Sequence, residues 1–216
     1  MKPLALVVAK ASTLPRIVID ACQAAGRPIA GIVEVACAGE RLKTNLPVLG
    51  GEALLSDAAF LAAHDVFVGI SDKRRGQLSA GVLGRRGTVA TIIHPTAIIS
   101  ASARIGQGCM ISAGVVVQMD ATVGRHCTLN TACTVDHDNV LEDGVNIAPG
   151  AHLAGGVQVG AGAFIGIGAT IKGWIRIGAG ATVGAGAVVL KPVADGVTVV
   201  GNPARTLVQV TRSPKA

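Results

Sequence analysis

The sequence predicts two unlike domains in tandem. Residues 1–92 read as a small parallel α/β domain of Rossmann-like form, and residues 93–216 as a left-handed parallel β-helix of hexapeptide repeats. Three observations predict this. An aliphatic residue recurs at every sixth position from Ile93 to Val189; strand and helix signals alternate through the first ninety residues; and only four of the 216 residues are aromatic, Phe60, Phe67, Phe164 and Trp174. A mixed core of ordinary kind relies on rings for volume, so their scarcity favours many small, stacked aliphatic layers.

The six-residue rhythm carries most of the weight. It runs Ile93, Ile99, Ile105, Ile111, Val117, Val123, Leu129, Val135, Leu141, Ile147, Leu153, Val159, Ile165, Ile171, Ile177, Val183, Val189. All seventeen positions are Ile, Leu or Val, although those types supply only 61 of the 216 residues. Neither a helical period of about 3.6 nor a strand period of about 2 yields a strict six. A short strand plus a corner does, and it is the signature of a β-helix. The fourth residue after each aliphatic is usually small, as at Ala97, Ala103, Cys109, Ala121, Cys127, Cys133, Ala151, Ala163, Ala169, Ala181 and Ala187. With three hexads per turn, residues eighteen apart stack. Cys109 then lies beneath Cys127, and both are core fillers. The open ends need caps, which the α/β domain and the segment after Val189 are expected to provide.

In the first half, Leu4–Val8, Ile29–Val35 and Val66–Ile70 read as strands, and Leu14–Ala25 and Glu52–Ala63 as helices. Asp72 is placed to cap a further helix reaching Leu83, and Val89–Ile93 reads as a closing strand. This order implies a parallel sheet with right-handed crossovers.

Composition narrows the partners. A net charge of +6 suits anionic small molecules or nucleic acid, but no aromatics interleave with the Lys and Arg residues to stack bases, which points away from nucleic acid. Five cysteines without a C-x-x-C pair fit reduced thiols in a cytoplasmic protein. The opening apolar run, Leu4 to Ala9, is shorter than a signal-peptide core, and no segment has the length of a membrane span.

The repeat, followed by Val200-Gly201-Asn202-Pro203-Ala204-Arg205, resembles the hexapeptide-repeat acyltransferases. A small α/β domain, then His94-Pro95, then Asn130-Thr131 leading to His137-Asp138, resembles the sialic-acid O-acetyltransferase-like family within them. That family includes bacterial N-acetyltransferases of nucleotide-linked 4-amino-4,6-dideoxy sugars of the bacillosamine, perosamine and viosamine type. The resemblance implies acetyl-CoA as co-substrate, a nucleotide-linked amino sugar on the N-terminal domain, a role in polysaccharide biosynthesis, no metal, and a homotrimer with active sites between subunits. Two departures stand out. The family's glycine-rich turn after the first strand is Ala9-Lys10-Ala11-Ser12-Thr13-Leu14-Pro15 here, and a second histidine that some members carry nine residues after the first is Asn146.

Acetyl transfer to an amine needs a base, donors for the developing oxyanion and a proton for the leaving thiolate. Among the five histidines, His137 stands in a polar hexad, Val135-Asp136-His137-Asp138-Asn139, flanked by two carboxylates. Eighteen residues on lies Gly155, whose N–H should sit one coil above, about 5 Å away by strand spacing. His137 is therefore the expected general base, Asp138 its orienting partner and Gly155 N–H the thioester donor. With the resemblance, Asn146 is expected at the subunit groove, and the CoA arm beside Ile167, Gly168, Gly184 and Ala185 toward Pro203, with Lys191 and Arg205 for its phosphates. Lys10, Glu34, Gly69, Asp72 and Asn130 are the expected acceptor-binding residues. The same helix also hosts sugar O-acetyltransferases, zinc-dependent carbonic anhydrases and non-catalytic scaffolds. For zinc, His126, His137 and His152 are spaced eleven and fifteen apart, which does not match the pair five apart expected of that family.

Overall fold

A computed structural model describes residues 2–9, 13–35, 42–70 and 74–207. The N-terminal sheet is parallel throughout, in the order β3-β2-β1-β4-β5: β1 (Leu4–Ala9), β2 (Ile29–Val35), β3 (Val48–Gly51), β4 (Asp65–Val68) and β5 (Thr88–Val89). Central β1 is buried on both faces, which is why it reads as a continuous apolar run. Its alternate side chains go to opposite layers. Leu4, Leu6 and Val8 meet Leu14, Val18, Ala21 and Cys22 of α1 (Leu14–Ala24). Ala5 and Val7 meet Leu61 of α2 (Ala58–Ala63) and Val82 of α3 (Arg74–Gly84).

Three sequence expectations change here. The helix expected over Glu52–Ala63 is broken into a 3₁₀ turn, Glu52–Ser56, and α2, because Asp57 leaves helical geometry and its carboxylate accepts the Phe60 N–H at 2.9 Å. Strand β3 lies in a glycine-bearing segment that gave no strand signal. The run Val89–Ile93 is two strands in different sheets: β5 closes the α/β sheet, and Ile92–Ile93 opens the β-helix.

The C-terminal domain is a left-handed parallel β-helix, a three-sided prism of two-residue strands. Its first face carries the strands at residues 92, 110, 128, 146, 164 and 182; the second those at 98, 116, 134, 152, 170 and 188; the third those at 104, 122, 140, 158 and 176. Partners are eighteen residues apart, as in Val116↔Thr134↔His152↔Thr170↔Val188. The second residue of each strand points inward, and from Ile111 to Val189 these aliphatics are buried together with the small corner residues, including Cys109, Cys127 and Cys133. Burial pushes the Cys133 thiol up to about 12, so it stays protonated and unreactive.

The two ends of the prism differ. Val193 and Val199 close the top, where Thr198–Val200 pairs with Val183 and with Arg205–Thr206. At the bottom the α/β domain lies against the flank rather than across the opening. Ile92 and Met110, outward on the first face, are buried with α1, whereas inward Ile93 is 41% exposed because no coil lies beneath it. Arg75 of α3 locks the junction. It is 7% exposed, donates to Thr128 Oγ1 at 2.9 Å and Gly108 O at 2.6 Å, and covers the Phe67 ring at 5.2 Å. Burial lowers its pKa to about 10, still far above neutrality.

Among the described residues no helix is long and apolar enough to cross a membrane.

Candidate active site

His137 stands on the corner between the second and third faces, where the repeat turns through Asp136, His137, Asp138 and Asn139. Several contacts define this corner. The His137 backbone N–H donates to Asp136 Oδ1 at 2.8 Å, and the ring Nδ1 lies 2.8 Å from Asp138 Oδ2. A carboxylate only accepts, so Nδ1 carries the proton and Nε2 the lone pair. Asp138 adopts φ +59°, a left-handed conformation that Asp tolerates better than most residues. The hydrogen bond to Asp138 is the leading cause that raises the His137 pKa above its ordinary value.

Asn139 occupies the inward corner position that is Ala or Cys in most other repeats. Its buried amide donates to Asp136 O at 2.7 Å and to Ala154 O at 3.1 Å, pinning the polar corner to the coil above. The sequence signal for this residue was the interruption of the small-residue column.

The coil above completes the site. Gly156 N–H donates to His137 O at 2.9 Å, and the His137 ring lies over Gly155 so closely that a Cβ there would stand 2.5 Å from Cε1 and Nε2. Any side chain at 155 would displace this imidazole. Gly155 N–H donates to no group among the described residues. One coil higher, Trp174 rests on Gly156, its ring centroid 6.4 Å from that of His137 at 61°. Trp174 was absent from the sequence-based site, although its column is the one that holds Asp138 and Gly156.

The remaining site candidates divide between other parts of the prism. Lys191 is exposed at the top of the His137 corner. Asn130, Ile167, Gly168, Gly184 and Ala185 lie together on a different corner, between the first and second faces, with Ile167 61% exposed. Asn146 stands on the first face, nine residues and therefore half a turn from His137. One chain thus does not bring Asn146 or Asn130 to His137. Instead both line a cavity of about 740 Å³ between the first face and helices α1 and α3, with Thr13, Arg75, His126 and Phe164. Asn146 Oδ1 and His126 Nδ1 are buried there without a partner. Glu34 is half-buried near the end of β2, and Gly69 N–H donates to Val7 O at 2.8 Å beyond β4. Pro203 and Arg205 are exposed beyond the top coil. Lys10 and Asp72 lie outside the described residues. His126, His137 and His152 occupy separate corners and a face, and no three metal-ligating side chains gather among the described residues.

Residues 156–191 match the bacterial transferase hexapeptide family, six repeats of it. The acetyltransferase domain of PglB from Neisseria gonorrhoeae is 35% identical with a TM-score of 0.86, the match covering 96% of this chain and 100% of that one. The chain belongs to the hexapeptide-repeat acetyltransferases. A structure of the same Neisseria domain in complex with acetyl coenzyme A is 34% identical, with 95% and 99% of the two chains covered and a TM-score of 0.85. A histidine mutant of GDP-perosamine N-acetyltransferase from Caulobacter crescentus, in complex with CoA and GDP-perosamine, is 31% identical over 97% and 98% of the chains, with a TM-score of 0.88. No curated protein sequence is similar enough to count as a match.

Proposed function

We propose that this acetyltransferase transfers acetyl from acetyl-CoA to the 4-amino group of a nucleotide-linked 4-amino-4,6-dideoxy sugar, with His137 as general base. The observation that carries the reading is the His137 imidazole held over Gly155 by Asp138, a base and a side-chain-free N–H in one place. The neutral amine attacks the thioester carbonyl, and Nε2 takes its proton as the C–N bond forms. Gly155 N–H donates to the oxygen as it becomes an oxyanion. The C–S bond then breaks, and the imidazolium returns the proton to the thiolate.

The assembly supporting this is a trimer. The first face is flanked by the α/β domain and the third carries outward Arg104 and Arg176, whereas the outward residues of the second are Ile98, Val116, Thr134, His152, Thr170 and Val188. Packing the second face around a three-fold axis sets the His137 corner of one protomer beside the Ile167, Gly168, Gly184 and Ala185 corner of the next. The CoA arm occupies that groove, with Lys191 toward its phosphates, and the cavity beside Asn130 and Asn146 receives the acceptor. The relative that binds CoA and GDP-perosamine supports the substrate class.

The test is a thiol-release assay with acetyl-CoA against UDP-, GDP- and dTDP-linked 4-amino sugars and their 4-hydroxy counterparts. Turnover with one amino sugar is expected. Turnover confined to hydroxyl acceptors would replace N- by O-acetylation, and none with any acceptor would overturn the reading.

A further inference from the structure

We infer that Trp174 is a donor-binding residue, the wall against which the acyl-bearing arm of acetyl-CoA lies as it reaches Gly155. The inference rests on the function proposed above and adds a residue to its site.

Trp174 is anomalous in three independent respects. It is the single tryptophan of a chain without tyrosine. It is 74% exposed, the most exposed large hydrophobic side chain among the described residues, although apolar surface of this size gains nothing in water. And it adopts φ +62° at a corner position where most other coils place glycine, including Gly144, Gly150, Gly156, Gly162, Gly168, Gly180 and Gly186. A bulky residue in that conformation is strained, and strain retained at one exposed position points to use.

Its surroundings say which use. The Trp174 backbone N–H donates to Gly155 O at 3.0 Å, tying its backbone to the residue that lies against the His137 ring. The indole packs on the Cα of Gly156 and meets the His137 ring edge-on, closing the upper side of the imidazole. The rest of the ring is open along the corner that continues past Lys172 to Leu190, which is 51% exposed, and Lys191. The corner therefore runs from base to glycine donor to aromatic wall to two cations. That sequence of chemistries matches an acyl thioester, its amide-bearing apolar arm and its phosphates. An aromatic face offers the arm contact area without further ordering cost, because the indole is already fixed by Gly156.

The single tryptophan supplies the test, since emission of the full-length protein reports on this position alone. Titration with CoA or acetyl-CoA is expected to change the emission saturably, with the midpoint found by calorimetry. Trp174→Gly suits the left-handed φ, so its Tm should equal or exceed that of the parent. Its KM for acetyl-CoA should rise about tenfold, the KM for the acceptor should stay within about twofold, and Trp174→Phe should recover most of the loss. Calorimetric saturation with flat emission, or an unchanged acetyl-CoA KM in the glycine variant, overturns the inference alone. A glycine variant that dissociates into monomers by light scattering also overturns it, by assigning the ring to the subunit contact. A parent protein that binds neither CoA nor acetyl-CoA overturns the proposed function along with it.

Discussion

Two corners of the same prism carry a histidine within one turn of each other, and their chemistry is opposite. His126, on the corner between the third and first faces, adopts φ +58° and packs on Gly108 beneath α3. Burial first, and then the charge of Arg75, lower its pKa. Its neighbour Arg125 is bound by Asp143, with contacts of 2.7 and 3.0 Å to one carboxylate oxygen. His137 is open to solvent, has Asp138 on Nδ1, and its pKa is raised. The repeat supplies the same corner at both, but His126 takes its left-handed position, the one Asp138 holds on the other corner, and His137 stands one residue earlier. The neighbours differ as well: a buried arginine from another domain, or a carboxylate one residue along. A base in an acyl transfer needs an oriented ring, a free Nε2 and a donor nearby, and only the second corner has all three.

Substitutions at both corners sharpen the contrast. His137→Ala removes the base and is expected to lower kcat about a thousandfold while leaving the oligomer intact by light scattering; an unchanged kcat would return His137 to the solvated surface. Gly155→Ala comes next, because its Cβ would meet the imidazole at 2.5 Å. A loss of about a hundredfold in kcat with little change in Tm is expected from the displaced ring. Asp138→Asn should cost about tenfold and move the pH profile. A raised pKa means that His137 is protonated, and idle as a base, up to a pH above the ordinary histidine value. Removing the carboxylate lowers that pKa, so the acid limb of kcat should shift to lower pH; a limb that stays put would detach it from His137. His126→Gln is the smallest in kcat, expected within about twofold of the parent, because His126 lines the acceptor cavity and its loss should fall on the acceptor KM. A large loss there would erase the distinction between the corners.

The β-helix was legible because its information is local and repeated: each hexad specifies its own strand and corner, and stacking follows by counting eighteen. The same count located Gly155 over His137. Two further steps of eighteen from Asp138 reach Gly156 and Trp174, and the half turn of nine residues puts Asn146 on the first face. Arg75 and the buried state of His126 were not readable, since both arise from contact between domains far apart in sequence. In the α/β half, β3 was missed because a short strand at a sheet edge needs few apolar residues. The Val89–Ile93 run hid a domain junction because one continuous apolar run supplies a strand to each domain.

The stacking has a consequence for how the chain length can vary. Up to Val189 every column of the prism is a count modulo eighteen, and the site reads three of its coils in register: His137, then Gly155 and Gly156, then Trp174. Loss of one residue between Asp138 and Leu153 would turn each inward aliphatic outward and carry the glycine out from under the imidazole at the same stroke. Gain of a complete coil above Trp174 would disturb neither. Length in this domain is thus quantised, and the unit in which it can grow without cost to the chemistry is one full turn.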